Sequence, residues 1–204
     1  MSPQVIRTDA ENTTDGERLL EGKNINLKVV EKEDIPLLNE WANSLEVGGE
    51  YEFSRQVSRS EMEKNFEKSI SEPSPVEWKT FMIEKKDKTK IGYVVYFNTL
   101  HPAGKIQEIG YVMIPKERGK GYCTEAVMIM VDYLFLSKDL SCIQAMTDVR
   151  NLASQKVLEK VGFQKEGIIR KRFFIRGVWT DNTVYSILRE EWKGPKILTR
   201  AEKK

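Results

Sequence analysis

Residues 115–122, with the sequence Pro-Lys-Glu-Arg-Gly-Lys-Gly-Tyr, connect two strongly apolar segments. The preceding segment, 106–114, has the pattern of a strand, and 122–136 keeps the 3.6-residue apolar period of a helix. Gly119 and Gly121 allow the backbone to turn tightly and to direct successive N–H groups into one concavity. The N-terminus of the following helix adds unpaired N–H groups and the positive end of its dipole. The turn is therefore predicted to bind a phosphate or pyrophosphate.

Arg118 and Lys120 are expected to add mobile positive charge to this turn. Two common phosphate-binding motifs do not fit it. A P-loop requires Lys and then Ser or Thr after its last glycine, whereas Tyr122 follows Gly121, and no third glycine completes a dinucleotide-binding Gly-x-Gly-x-x-Gly. Taken alone, the two glycines would also suit an ordinary strand-to-helix turn.

The segments on either side of the turn alternate between strand and helix patterns. Strands are predicted where polar and apolar residues alternate, and helices where apolar residues recur every three or four positions. The residues 45–58 between the first two helices are predicted to form a loop. The predicted strands are 24–30, 78–85, 91–100, 106–114, 141–148, 163–175 and 178–188, and the predicted helices are 32–44, a helix beginning at 60, 122–136 and 151–161.

Two helices carry further detail. The helix that begins at residue 60 is expected to bury the stripe Met62, Phe66 and Ile70 and to end before Pro73 and Pro75. The helix 151–161 is expected to end at Gly162, a residue type that tolerates the left-handed conformation found there.

The chain of 204 residues is long enough for one domain, predicted over 21–192 between a disordered tail, 1–20, and a polar tail, 193–204. Its net charge of +2, from 33 basic and 31 acidic residues, argues against a dedicated nucleic-acid-binding protein. The polar start lacks a signal-peptide pattern, and the longest apolar stretch, 127–136, is far below the roughly 18 residues of a membrane span. A cytoplasmic protein without a membrane partner is therefore expected.

Cysteine and histidine usage bounds the chemistry further. Cys123 and Cys142 lie inside apolar segments and are expected to be free thiols. One histidine, His101, and two separated cysteines provide no metal-ligand cluster, so no metal is predicted.

Residues 116–121 resemble the [Gln/Arg]-x-x-Gly-x-[Gly/Ala] signature of the GNAT superfamily of acetyl-CoA-dependent N-acetyltransferases, with Lys116 as a departure at the first position. Residues 151–163 resemble the Asn-x-x-Ser-x-x-x-x-x-Lys-x-Gly-Phe helix of the branch acting on ribosomal-protein alanine and serine termini, the RimJ/RimL type. Residues 170–192 also resemble that branch, and the whole resemblance covers about 20–192.

This resemblance implies the α+β acyl-CoA N-acyltransferase fold of the GNAT family, with a mixed, mostly antiparallel sheet flanked by helices on both faces. It also implies acetyl-CoA as cosubstrate, with Asn151 as a candidate for contacting the pantetheine arm. Main-chain groups of the strand before the turn are expected to face the thioester, because that strand splays from its neighbour in the family. The other expected acetyl-CoA-binding residues are Val112, Met113, Ile114, Arg118, Gly119, Lys120, Gly121, Tyr122 and Thr124.

Ser154 matches the serine proposed as general acid in this branch, although a solvent-facing helix serine is the alternative. Glu108, a carboxylate in an apolar strand, matches a glutamate used as general base in some members. Burial would raise its pKa, whereas exposure at the strand's start is the alternative, and a water could serve as base instead. Tyr111 and Tyr122 are expected to pack rather than to catalyse.

The expected acceptor is the α-amine of a protein or peptide, with Tyr51 and Phe53 as its binding residues. A small amine such as a polyamine or an amino sugar is the alternative. For a polyamine, an acidic cluster would be formed by Glu46, Glu50 and Glu52. A non-catalytic CoA-binding sensor is a third possibility, and either a monomer or a homodimer is compatible with the sequence.

Direct attack of the amine on the thioester is predicted. Cys123 is the alternative nucleophile, since its place in the first turn of a helix could lower its pKa. However, no histidine lies near it in sequence to act as its base.

Overall fold

The structure is a computed structural model that describes residues 19–52, 56–72, 77–98 and 105–198. All predicted strands and helices are present in these ranges. The strands are β1 (Leu19–Glu21), β2 (Ile25–Val29), β3 (Trp78–Lys85), β4 (Lys90–Asn98), β5 (Ile106–Met113), β6 (Cys142–Asp148), β7 (Gln164–Ile175) and β8 (Val178–Leu188). The helices are α1 (Ile35–Asn43), α2 (Leu45–Gly48), α3 (Arg59–Ser71), α4 (Tyr122–Ser137) and α5 (Leu152–Val161).

The described strands form one sheet in the order β1-β2-β3-β4-β5-β6-β8-β7. Every neighbouring pair is antiparallel except β5 and β6, which are parallel. The predicted mixed, mostly antiparallel sheet is therefore confirmed. None of the helices in the described ranges is long and apolar enough to cross a membrane.

The parallel pair β5 and β6 separates after three residues. Pairing runs from Ile106 opposite Cys142 to Glu108 opposite Gln144 and ends there. Beyond that point β5 stays paired with β4 as far as Met113, while β6 stays paired with β8 as far as Asp148. A wedge-shaped opening therefore lies between β5 and β6, and each of its sides is fixed by another strand.

Helix α4 forms the centre of the core on one face of the sheet. Its buried side chains cover most of the helix circumference, including the consecutive positions 129–132, and all but one of them are apolar; the helix contacts β2, β4 and β5. The exception is Asp132, which is 1% exposed and accepts hydrogen bonds from Trp192 Nε1 and from the main-chain N–H groups of residues 196–198. The predicted domain boundary was Trp192, whereas the described part of the expected polar tail, 193–198, lies against α4.

Two local expectations were wrong. The predicted loop 45–58 contains the short helix α2, which is capped by Ser44, whose hydroxyl accepts a hydrogen bond from Val47 N. Ile70 is 71% exposed instead of sharing a buried stripe with Met62 and Phe66. Helix α3 contacts α1, and of the three apolar side chains only Met62 and Phe66 pack against the core, which leaves Ile70 in the last turn exposed. Pro73, Pro75 and His101 lie outside the described residues.

Gly92 brings β4 and β5 into close contact beside the wedge. A Cβ atom at this position would lie 2.2 Å from the Val112 carbonyl oxygen, which belongs to backbone and cannot move aside. We expect Gly92→Ala to lower the free energy of unfolding by about 2 kcal/mol or more, since overpacking in a fixed frame costs this much.

Chemical denaturation measures this change. Gly167→Ala is the matched control, because Gly167 lies in strand β7 of the same sheet and a Cβ atom there would meet no atom within 4 Å. Equal stability of the two variants would contradict the close contact.

Candidate active site

The turn between β5 and α4 has the open, left-handed backbone that its glycines permit. Gly119 has φ of +76° and Gly121 has φ of +88°, values that side chains other than glycine rarely adopt. A Cβ atom at either position would meet nothing within 4 Å. The space above the turn is therefore open, and only glycine provides it without strain.

Six consecutive N–H groups of this turn have no acceptor among the described residues. They belong to residues 119–124, and the first hydrogen bond of α4 is donated by Glu125 N to Gly121 O at 3.1 Å. Unpaired N–H groups at a helix N-terminus attract anions, because the helix dipole adds to their partial charges. The turn therefore fits the pyrophosphate of acetyl-CoA, as the sequence predicts.

Arg118 and Lys120 were expected to be mobile, but both side chains have partners in the structure. Arg118 is fixed, since its Nε donates to Met113 O at 3.0 Å and its Nη2 donates to Val47 O at 2.7 Å. Lys120 is half exposed and pairs with Glu117 at 3.0 Å, which lowers the pKa of the Glu117 carboxyl. The main-chain N–H groups of the turn are thus without an acceptor, whereas both side-chain cations have partners, and contact between Arg118 or Lys120 and the cosubstrate stays a prediction.

One edge of β5 presents its main chain to the wedge. Successive N–H groups of a strand point alternately to its two neighbours. Because Ile114 N donates to Ile91 O of β4 at 3.0 Å, the main chain of Met113 points the other way, towards β6. The Met113 carbonyl accepts Arg118, which leaves the Met113 N–H as the donor facing the wedge. Of the three expected positions, Val112, Met113 and Ile114, the geometry selects Met113.

Two hydroxyl groups meet at the wedge. The Tyr111 hydroxyl oxygen lies 2.9 Å from Ser154 Oγ, and the tyrosine also donates to Ser154 O at 3.2 Å. Burial raises the pKa of Tyr111 far above its usual value, so it remains protonated. The sequence assigned Tyr111 to packing and missed this pair, because only the tertiary fold brings β5 against α5.

Asn151 begins α5. Its Oδ1 accepts a hydrogen bond from Ser154 N at 3.1 Å, so the side chain fixes the first turn of the helix and with it the serine. Contact between Asn151 and a pantetheine arm stays a prediction.

Glu108 lies where the wedge opens, as the last residue of β5 that pairs with β6. Side chains alternate along a strand, so Glu108 and Tyr111 project from opposite faces of the sheet. Burial raises the pKa of Glu108, and the positive charge of Arg172 opposes this effect more weakly. The expected direction of the pKa shift is confirmed, and the role of base stays a prediction.

Tyr51 packs against the connection between β6 and α5. Its hydroxyl donates to Arg150 O at 3.4 Å, and the Arg150 guanidinium lies 5.6 Å from the centre of its ring. Arg150 in turn donates two hydrogen bonds to the buried carboxylate of Asp148. Phe53, the other expected acceptor residue, lies outside the described residues.

Two arginine side chains, one of them Arg118, contact the segment that contains α2. Arg176, in the turn between β7 and β8, donates to Gly49 O at 2.7 Å, and Arg118 donates to Val47 O. Two guanidinium groups thus contact the main chain of the segment that carries the exposed acidic residues Glu46, Glu50 and Glu52.

The surroundings of Cys123 do not favour its alternative role as a nucleophile with a lowered pKa. Burial raises the pKa of Cys123 to about 12, which is opposite to the effect expected from the helix dipole. A protonated thiol is a poor nucleophile. Cys123 and Cys142 are both free, as predicted. In the described ranges, no group of three or more His, Cys, Asp or Glu side chains is placed to hold a metal ion.

Comparison with known proteins identifies the family. Residues 24–164 match the family described as "Acetyltransferase (GNAT) domain", and the chain belongs to it. The resemblance noted in the sequence is thereby confirmed.

Two curated relatives and one solved structure illustrate the similarity. The probable N-acetyltransferase YjcK of Bacillus subtilis is 46% identical over 102 residues, covering 50% of this chain and 56% of YjcK. The ribosomal-protein-serine acetyltransferase of Escherichia coli is 31% identical over 108 residues, covering 53% of this chain and 59% of that enzyme. The chain thus spans little more than half the length of these relatives.

The fold is similar to that of a spermidine N-acetyltransferase from Vibrio cholerae, solved in complex with CoA and spermine. The TM-score is 0.74 and the identity 24%, over 82% of this chain and 97% of that one. At this identity the likeness concerns the fold alone.

Gly121→Glu tests the turn directly. The new side chain would occupy the open space, its carboxylate would repel a phosphate, and its backbone would be strained at φ +88°. We expect the dissociation constant for acetyl-CoA, measured by calorimetry, to rise at least about tenfold, equivalent to about 1.4 kcal/mol.

Gly177→Glu is the matched control, because Gly177 has φ of +83°, equally open surroundings and a position in the β7–β8 turn. Weakened binding in both variants to the same extent would contradict the assignment.

Proposed function

We propose that the protein is an acetyl-CoA-dependent N-acetyltransferase that acetylates the N-terminal α-amine of a protein or peptide. The observation that carries this proposal is the turn of six unpaired N–H groups, 119–124, placed beside the opening between β5 and β6. The turn fits a pyrophosphate, and the opening fits an extended thioester arm. Bound acetyl-CoA would supply the activated acetyl group.

The Met113 N–H stabilises the oxygen charge that develops during acyl transfer. It is fixed on a strand that is fully paired on its other side, so it needs no reorganisation during the reaction. Such preorganised donors are usually a large contribution to catalysis.

Ser154 protonates the departing thiolate. Its hydroxyl lies 2.9 Å from the Tyr111 hydroxyl, which can replace the proton that the serine gives up. Burial raises the pKa of Tyr111, so its hydroxyl carries a proton and can hydrogen-bond the serine oxygen as the serine gives up its own.

Glu108 accepts the proton of the attacking amine, directly or through a water. It projects from the face opposite to Tyr111, so the proton donor and the proton acceptor approach the wedge from opposite sides. Its raised pKa brings the carboxylate closer to the working range of a general base.

The amine attacks the thioester directly, without an acetyl-enzyme. The thiol nearest the turn, Cys123, is held protonated by burial, and the described residues offer no histidine as its base.

A peptide amine is favoured over a polyamine by the charges on the acceptor side. Relatives of both kinds exist, since one is named a ribosomal-protein-serine acetyltransferase and another a spermidine N(1)-acetyltransferase. A polyamine site needs uncompensated carboxylates. In this chain Arg118 and Arg176 donate to main-chain carbonyl oxygens of the segment with Glu46 and Glu50, so two positive charges lie against that segment and disfavour a polycation there.

A CoA-release assay tests the function. The panel contains peptides with free N-terminal amines, the same peptides with blocked N-termini, spermidine and an aminoglycoside. We expect release with the free peptides and little with the others. Release of CoA with spermidine and with no peptide would contradict the peptide acceptor and indicate a polyamine instead. Binding of acetyl-CoA without release of CoA for any acceptor would indicate a CoA-binding sensor.

Ser154→Ala tests the mechanism. We expect kcat to fall roughly 10- to 1,000-fold with little change in acetyl-CoA affinity, because a proton donor acts in the transition state. Cys123→Ala is the control and should leave kcat nearly unchanged. Loss of activity in Cys123→Ala, together with an acetylated Cys123 trapped by mass spectrometry, would contradict direct transfer.

A further inference from the structure

Strand β7 has a bulge that carries three consecutive cations. Its pairing with β8 changes register between Ile169 and Phe173, so Arg170, Lys171 and Arg172 lie in the bulge. Lys171 has φ of +50°, an uncommon value for a residue other than glycine, and its N–H donates to Asp181 Oδ1 at 2.8 Å. Bulges of this kind direct side chains and occur often beside active sites.

The three cations are not neutralised within the described part of the chain. All three are exposed, and none forms an ion pair with a described residue. Arg172 lies 5.4 Å from the centre of the Phe173 ring. The acidic groups that face the bulge are Asp181, whose Oδ1 accepts the Lys171 N–H, and Glu108. Three like charges against two carboxylates leave the bulge positive.

The bulge also lies on a free strand edge with apolar surroundings. β7 is the last strand of the described sheet, so its outer edge has no paired neighbour. Ile168, Ile169 and Phe173 are 53%, 40% and 36% exposed beside the cations. An extended peptide can add to such an edge through main-chain hydrogen bonds, with side chains supplying specificity.

The bulge is close to the reacting end of the wedge. The charge of Arg172 acts on Glu108, the residue at which β5 and β6 separate. The register gives the same placement, since Ile169 lies opposite Asn182 of β8, which lies opposite Asp148 at the end of β6. The bulge therefore begins level with the open end of the wedge and two strand spacings from β6, a distance that about three extended residues can span.

We propose that the bulge, residues 170–172, binds an acidic extended segment of the acceptor polypeptide. This inference rests on the proposed function and names its substrate class: polypeptides with carboxylate side chains a few positions after the N-terminal amine. A polyamine would be repelled by the three cations. A polypeptide is favoured over RNA because exposed apolar side chains flank the cations on both sides and because the chain's net charge is only +2.

The test compares three peptides that share their N-terminal residue and carry acidic, neutral or basic residues at positions 3–6. Binding is measured by fluorescence anisotropy in the presence of CoA, and acetylation by kcat and KM. We expect the wild-type protein to prefer the acidic peptide about tenfold, mainly in KM, with a preference that falls as salt increases.

Arg170→Glu/Lys171→Glu should abolish or invert this preference. Lys23→Glu/Lys64→Glu is the control, because it changes the net charge equally at two exposed lysines outside the bulge and should keep the preference. Arg170→Gln/Lys171→Asn is a milder variant that should reduce the preference, since asparagine tolerates positive φ. Unchanged acetyl-CoA affinity verifies that each variant is folded.

The outcomes separate this inference from the proposed function. Acetylation of acidic and neutral peptides with equal KM, or a preference that survives charge reversal at the bulge, would overturn the inference and leave the function standing. The inference would also be overturned if the wild-type protein bound an RNA oligonucleotide, the bulge variant lost that binding, and the peptide preference stayed the same in both. Charge-sensitive binding of the acidic peptide without acetylation of any peptide would support the inference and overturn the function.

Discussion

The separation of β5 from β6 after Glu108 and Gln144 is the constraint on which the site depends. A fully paired sheet would bury its main-chain N–H groups in ladder hydrogen bonds. Here each strand keeps its other neighbour, so the opening is rigid and the Met113 N–H remains available. The same opening connects the two faces of the sheet, with Tyr111 and Ser154 on one side and Glu108 on the other.

Arginine side chains hold this arrangement together. Arg118 joins the turn to the end of β5 and to α2 through two carbonyl oxygens. Arg176 joins the β7–β8 turn to the same α2 segment. The main-chain N–H groups of the turn are fixed by the same contacts, and donors fixed in advance need little reorganisation when an anion binds.

Much of this could be predicted from local sequence. Gly119 and Gly121 have the positive φ angles that their spacing suggested, and Gly162 ends α5 with φ of +118°. The apolar patterns of the strands and helices also predicted the sheet and α4, because the spacing of apolar residues depends on the type of element.

What the sequence did not predict depends on contacts between distant residues. The Tyr111–Ser154 pair joins a strand and a helix 43 positions apart, and Asp132 binds the N–H groups of residues 196–198 more than 60 positions away. Neither pairing leaves a periodic signal. Arg118 is similar, since its partner Val47 lies 71 positions away and no local pattern distinguishes a fixed guanidinium from a mobile one.

Hydrogen–deuterium exchange with and without acetyl-CoA tests the central claim most directly. If the cosubstrate lies in the wedge with its pyrophosphate on the turn, exchange should slow in peptides that cover 109–114 and 119–125, and exchange in β7 should not change. Protection absent from both peptides, or confined to another part of the sheet, would contradict the account.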